Sequence, residues 1–217
     1  MKPVLIIGNK NYSSWSLRGW LALRKSGIEF DEHRISLFTP EGDAQLGDET
    51  PAGLVPVLVD GETTVWESLA IAEYVAERNP ALWPRDAGAR AVARSVAAEM
   101  HAGFTALRHA LPMNCRARGR RVELDDATQK DVARIQRLWC DCRTRYGGDG
   151  PWLFGTFSIA DAMHAPVASR FATYGIEGPT TVSDYVITVL ADTDVSEWYA
   201  AAREEGEVIE EEEVGRT

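Results

Sequence analysis

Hydroxyl groups gather where the first helix of this chain should begin. The stretch Asn9-Lys10-Asn11-Tyr12-Ser13-Ser14-Trp15-Ser16-Leu17-Arg18 follows a short apolar run, Val4 to Gly8, and leads into Leu17, Trp20, Leu21 and Leu23 at helical spacing until Gly27. A helix N-terminus offers unpaired backbone N–H groups and the positive end of the helix dipole. It therefore favours an anion by roughly 0.3–1 kcal/mol at exposed positions, and a nearby hydroxyl adds one more donor. A thiolate would suit this place, with Ser13, Ser14 or Tyr12 as the hydroxyl that stabilises it. The plainer role for Ser13, Ser14 or Ser16 is to cap the helix.

Two further pairs could complete a binding site. Pro56 stands immediately before the strand-like run Val57 to Val59. A proline in a sheet removes a ladder donor, so a cis Val55-Pro56 bond in a tight turn would give it a reason to be there, with the Val55 backbone left free for a peptide-like ligand. An ordinary trans turn proline is the alternative. Glu67-Ser68 opens the next helical pattern: Ser68 could cap it, the free N–H groups could take a carboxylate, and Glu67 could accept an ammonium. One ligand end carrying both charges fits that pair.

The elements that would hold these groups are readable in order. Strand, loop and helix are followed by a half-buried strand over Phe30 to Leu37 and a long loop, Thr39 to Pro51, dense in Gly, Pro, Asp and Thr. Val57 to Val59 and Thr63 to Trp66 are joined by Asp60-Gly61-Glu62, a strong hairpin signal, and Glu67 to Arg78 is helical. The order βαβ then ββα is that of a thioredoxin fold. Asn79-Pro80 and Trp83-Pro84 interrupt the pattern. Beyond them the long segments Ala87 to Leu111, Asp126 to Tyr146 and Ile159 to Tyr174 are all helical, with shorter helices near Ser183 to Leu190 and Val195 to Arg203. The expected organisation is a thioredoxin-like domain over 1–80, an all-helical domain over 87–203 and an acidic tail over 204–217.

Composition narrows the function. The 217 residues are 45% hydrophobic with a formal net charge of -10, which argues against general nucleic-acid binding. Seven glutamates lie between Glu204 and Glu213, so the excess charge sits in the tail, which reads as solvated and without a fold of its own. The basic run Cys115 to Arg121 could steer anionic substrates by its charge, and its plainer reading is a solvated loop. The apolar run at the N-terminus is too short for a signal sequence or a membrane span, which predicts a cytoplasmic protein with no membrane partner. Three cysteines, Cys115, Cys140 and Cys142, suit reduced thiols and neither a disulfide scaffold nor a metal site.

Taken together, the Ser-Ser-x-Ser-x-Arg stretch, the Val-Pro pair, the Glu-Ser pair and Ser158 to Asp161 resemble the cytosolic glutathione transferases over about residues 3 to 200. The loop is similar to serine-type members of the zeta and theta kind. The resemblance implies glutathione as co-substrate, no metal, a homodimer, and conjugation of the thiol to a small hydrophobic electrophile. A glutathione-dependent isomerase or lyase and a non-catalytic binding module are the alternatives. Carried over, Ser13 or Ser14 stabilises the thiolate, Trp15 touches the tripeptide, Val55 with Pro56 pairs with its backbone, Glu67 with Ser68 holds the γ-glutamyl end, and Ser158 with Asp161 forms the family's capping box, which makes Asp161 structural and not a general base. An apolar acceptor pocket between the domains would be lined by Tyr12, Trp15, Met100, Phe104 and Met113, with Leu107 as core. Two departures matter. Trp15 stands where zeta-class enzymes carry Cys, which puts maleylacetoacetate isomerisation in question. Phe38 and Thr39 stand where a Lys or His for the glycyl carboxylate would be sought.

Overall fold

The computed structural model describes residues 2–216. Four strands, β1 (Val4–Ile7), β2 (Asp31–Arg34), β3 (Val57–Asp60) and β4 (Thr63–Trp66), form one sheet in the order β2-β1-β3-β4. β1 runs parallel to β2 and antiparallel to β3, and β3 and β4 form the hairpin predicted around Gly61. β1 can be almost wholly apolar because both of its faces are covered. Leu5 and Ile7 face the main core with helices α1 (Ser14–Ser26) and α3 (Ser68–Arg78), while Ile6 joins Ile35, Val57 and Leu46 on the other face. This is the thioredoxin-like arrangement expected of the first part of the chain.

Leu46 belongs to a helix that was expected to be loop, α2 (Pro40–Glu49). Its start is well marked, since Thr39 Oγ1 accepts from Gly42 N at 3.0 Å and Pro40 occupies the first turn. Its apolar content is too low for periodicity to reveal it. The helix begins so close to the preceding turn that a Cβ on Gly42 would lie 1.8 Å from the Ser36 carbonyl oxygen.

The rest of the chain is helical: α4 (Ala87–Ala102), α5 (Thr105–Ala110), α6 (Asp126–Tyr146), α7 (Ile159–Tyr174), α8 (Thr180–Ala191) and α9 (Thr193–Glu204). The single helix expected over Ala87 to Leu111 breaks at Gly103 and at Phe104, whose φ of 59° is left-handed. α7 is buried along nearly its whole length and packs against α1, which joins the two parts of the fold. Trp20, Trp139 and Trp198 are fully buried, and burying a large apolar side chain contributes about 1.5–3 kcal/mol. The capping box forms as read: Asp161 Oδ2 accepts from Ser158 N at 2.8 Å and from its hydroxyl at 2.9 Å. Among the described residues no helix is long and apolar enough to cross a membrane.

The acidic tail departs from expectation. It folds back as a strap with Ile209 buried, and several of its carboxylates find donors. Glu205 accepts from the backbone N–H groups of Lys10 (2.7 Å) and Asn11 (3.0 Å), and Glu207 pairs with Arg34 at 2.8 Å. Glu213 accepts from the Asn114 amide at 2.9 Å and pairs with Arg120. The basic run is therefore no solvated loop: Arg116 donates to the carbonyls of Glu205 and Glu207, and Arg120 binds Glu213. Two segments of opposite charge, far apart in sequence, compensate each other.

Candidate functional site

Two adjoining cavities open at the N-termini of α1 and α3. One, of about 410 Å³, is bounded by Tyr12, Ser13 and Ser14 on one side and by Leu37, Phe38, Leu46 and Leu54 on the other. The second, of about 220 Å³, is bounded by Pro56, Trp66, Glu67 and Ser68. Trp15, Leu54 and Val55 line both. The fold thus brings Tyr12, Ser13, Ser14, Trp15, Val55, Pro56, Glu67 and Ser68 into one region.

Each hydroxyl of the first loop has a different set of partners. Ser13 caps α1, its Oγ accepting from Ser16 N at 3.3 Å and lying 2.7 Å from Ser16 Oγ. Ser16 Oγ in turn accepts from Gly8 N at 3.0 Å. Ser14 Oγ accepts from Arg170 Nη2 at 3.3 Å, and among the described residues its own proton has no acceptor. The Trp15 N–H, in the first turn of α1, also makes no hydrogen bond among the described residues. Tyr12 lines the cavity, but its hydroxyl is committed elsewhere: it donates to Glu213 at 2.7 Å and accepts from Arg116 at 2.9 Å. Burial and the Glu213 carboxylate both raise its pKa, so it is a poor donor to a thiolate.

The second cavity shows what it lacks. Val55-Pro56 is cis, and the Val55 backbone makes no hydrogen bond among the described residues. Ser68 does not cap α3. Glu67 takes the cap position, with a φ of 70° and no side-chain cap bond, and Ser68 begins the helix proper. The Ser68 hydroxyl is 1% exposed, without a partner, and on the cavity wall. A buried donor without a partner costs about 1–3 kcal/mol, a cost that a carboxylate at this helix start would relieve. The Glu67 carboxylate lies 3.5 Å from His101 Nε2 and lines the same cavity.

The acceptor side was misplaced in part. Met100 and Met113 are fully buried and Phe104 is nearly so; all three belong to the interhelical core, as does Leu107, and none lines a cavity here. The wall is made instead by Leu37, Phe38, Leu46 and Leu54, together with the charged residues Arg108, Arg170, Glu212 and the exposed Asp43. Arg170 reaches the cavity from α7 through carbonyls of the core, donating from Nε to Leu111 O at 2.7 Å and from Nη1 to Pro166 O at 3.3 Å. Burial lowers its pKa to about 10, so it stays charged at neutral pH. Arg108 donates to Met100 O at 3.1 Å and stacks over the Trp15 ring, 5.2 Å from its centre. The buried Arg18 guanidinium lies over the same ring at 4.2 Å. Arg170 had one sequence signal, as the only arginine or lysine of a largely apolar helix; Arg108 and Glu212 had none apart from their neighbourhoods.

Residues 12–78 match the sequence family of the glutathione S-transferase N-terminal domain. A probable maleylacetoacetate isomerase of Caenorhabditis elegans is 33% identical over 108 residues, 49% of this chain and 50% of that protein. The chain thus matches about half the length of that relative. Glutathione S-transferase Z2 of Arabidopsis thaliana is 27% identical over 169 residues, covering 72% of this chain and 75% of that one. In three dimensions, a glutathione transferase homologue from Burkholderia, solved with bound glutathione, superposes with a TM-score of 0.73 at 23% identity, over 94% of this chain and 100% of that one. A diazinon-metabolizing glutathione S-transferase of Bombyx mori gives a TM-score of 0.72 at 16% identity, over 93% and 97%. The hydroxyl-bearing start of α1, the cis Val55-Pro56 turn and the open start of α3 all fall within the matched segment: residues 12–78 match the glutathione S-transferase N-terminal domain, zeta-class proteins are among the sequence relatives, and the chain shares its fold with solved glutathione transferases.

Proposed function

We propose that this chain is a glutathione transferase. It holds the tripeptide across the smaller cavity and joins its sulfur to an electrophilic carbon of a largely apolar acceptor in the larger one. The observation that carries this reading is the partnerless, buried Ser68 hydroxyl at an open helix start, beside an unpaired Val55 backbone. A γ-glutamyl carboxylate would accept from Ser68 and the first N–H groups of α3, Glu67 would take the ammonium, and Val55 would pair with the peptide backbone. The sulfur then falls toward the start of α1.

Ser13 is the proposed thiolate donor. The 2.7 Å contact between Ser13 Oγ and Ser16 Oγ holds one proton, and hydroxyls rotate to suit their partners. When Ser16 supplies it, the run Gly8 N–H to Ser16 O–H to Ser13 O–H ends on the sulfur. Each bond polarises the next, and the last is charge-assisted. Ser16 is then a positioning residue. Ser14, backed by Arg170, is the other candidate donor. The reaction forms a carbon–sulfur bond and releases a leaving group with its electron pair, or adds across an activated double bond with the proton coming from water. The nucleophile belongs to the substrate.

A second reading, glutathione-dependent isomerisation, is favoured by relatives described as maleylacetoacetate isomerases. Both readings use the same tripeptide site. Retention on immobilised glutathione with elution by free glutathione tests that site, and absence of retention counts against both. Turnover of 1-chloro-2,4-dinitrobenzene against turnover of maleylacetoacetate separates them. A homodimer is part of the same proposal, and sedimentation at twice the chain mass is its check.

A further inference from the structure

The strap closes one wall of the acceptor cavity. Glu205 fixes its start on the backbone of Lys10 and Asn11, and Glu213 fixes its end on Tyr12, Asn114 and Arg120. The turn Glu210–Glu212 is held between these anchors, and Glu212 lines the cavity. The other strap carboxylates are accounted for. Glu205, Glu207 and Glu213 accept from protein donors, Glu210 pairs with Arg216, and Glu211 is exposed. Glu212 alone is half-buried with no hydrogen bond or ion pair to its carboxylate among the described residues.

The nearby cations do not satisfy it. Arg170 spends Nε, Nη1 and Nη2 on Leu111 O, Pro166 O and Ser14 Oγ, and Arg108 donates to the carbonyls of Met100 and His101. Burial raises the pKa of the Glu212 carboxyl while the Arg170 charge opposes that rise. A half-desolvated carboxylate gains from any donor that enters the cavity and repels a second negative charge.

We propose that Glu212 selects the acceptor by its polar end, favouring electrophiles that carry an ammonium or other hydrogen-bond donor over those that carry a carboxylate. The inference rests on the glutathione reading above, since the acceptor is whatever the bound sulfur meets. It assigns to the C-terminal strap a role in specificity, and it makes Glu212 a specificity residue and not a catalytic one.

The test uses S-hexylglutathione and its terminal-amino and terminal-carboxyl analogues, with Kd read from tryptophan fluorescence of the full chain. The wild type should bind the amino analogue about tenfold more tightly than the carboxyl analogue, as expected for one charge at partial burial. In Glu212→Gln that ratio should collapse to within about twofold while S-hexylglutathione keeps its Kd. Equal binding of the two analogues by the wild type, or an unchanged ratio in the variant, overturns the proposal and leaves the glutathione site standing. Failure of all three probes to bind the wild type overturns the glutathione reading and this inference with it. Should Glu212→Gln not fold, the wild-type ranking alone decides.

Discussion

Replacing Ser13 by Ala removes two things at once, and the structure says how to tell them apart. The first is the helix cap: Ser16 N loses its acceptor at 3.3 Å, which should lower stability by about 0.5–2 kcal/mol without altering the cavity. The second is the proposed donor to the thiolate. A hydrogen bond to a charged group contributes about 1.5–3 kcal/mol, or roughly 10- to 150-fold in rate. Taking about 2 kcal/mol, the bound thiol would sit about 1.5 pH units below its ordinary value near 8.5. At pH 7 about half of it would be ionised in the wild type and about 3% in Ser13→Ala, a ratio near 16; at pH 9.5 the ratio would be about 1. The assay is kcat/KM for 1-chloro-2,4-dinitrobenzene at saturating glutathione across this pH range, with the ultraviolet absorbance of bound thiolate as an independent titration. A loss that stays constant with pH, or a thiolate titration unmoved by Ser13→Ala but moved by Ser14→Ala, refutes the assignment of Ser13.

Three more outcomes are expected. Ser16→Ala should raise the thiol pKa by a smaller amount than Ser13→Ala while leaving glutathione affinity unchanged, because Ser16 acts only through Ser13; an affinity loss equal to the rate loss would contradict this. Ser68→Ala should weaken glutathione binding by about 5- to 30-fold, on the order of 1–2 kcal/mol, with kcat little changed, as read by calorimetric titration. Asp161→Asn should cost about 1–3 kcal/mol of stability, because its amide NH2 must face the backbone N–H of either Ser158 or Leu153 and leave that donor without an acceptor; chemical denaturation reads it, with activity per folded molecule retained. Burial pushes the Asp161 carboxyl up to about 6 from 3.8, so its protonated form favours folding; the wild type should lose stability as pH rises from about 4 to 6 through this group, and the variant should lack that fall.

The sequence could be read wherever a signal was local. The spacing of Leu17, Trp20 and Leu21, the Asp60-Gly61 turn and the periodicity of Asp126 to Tyr146 and Ile159 to Tyr174 each reflect a single element burying one face, and these elements appear in the structure. Helix α2 was missed because its stability comes from Thr39, Pro40 and contact of Leu46 with Ile6 and Val57, and not from an apolar stripe. The break before Phe104 leaves little trace in the sequence, because a lone glycine with no neighbouring proline is compatible with a continuing helix. Among site residues, those at element starts were legible, since capping residues and helix starts leave a pattern over three or four positions. Arg108, Arg170 and Glu212 reach the cavity from three separate elements, and nothing short of the packing of α5, α7 and the strap brings them together. The strap itself was hidden by its composition. Charge runs usually remain in solvent, and this one is held by Arg34, Arg116 and Arg120, each at least 89 residues away in sequence.

The cysteines supply the remaining step of the argument about the nucleophile. Cys115 lies directly beneath the first loop, its Sγ 3.6 Å from the Lys10 carbonyl oxygen, and burial pushes its pKa up to about 12. Cys142 is raised to about 12 by burial with the Asp161 and Asp141 charges adding to it, and Cys140 is raised as well. A thiol so far above neutral pH is protonated and unreactive. No protein sulfur in the described residues stands ready to attack, and the loop that would stabilise a thiolate carries Trp15 in place of one. The hydroxyls, the free Trp15 N–H and the positive end of α1 therefore face a space with no thiolate of the protein's own to hold, which is the arrangement required when the thiolate arrives with the substrate.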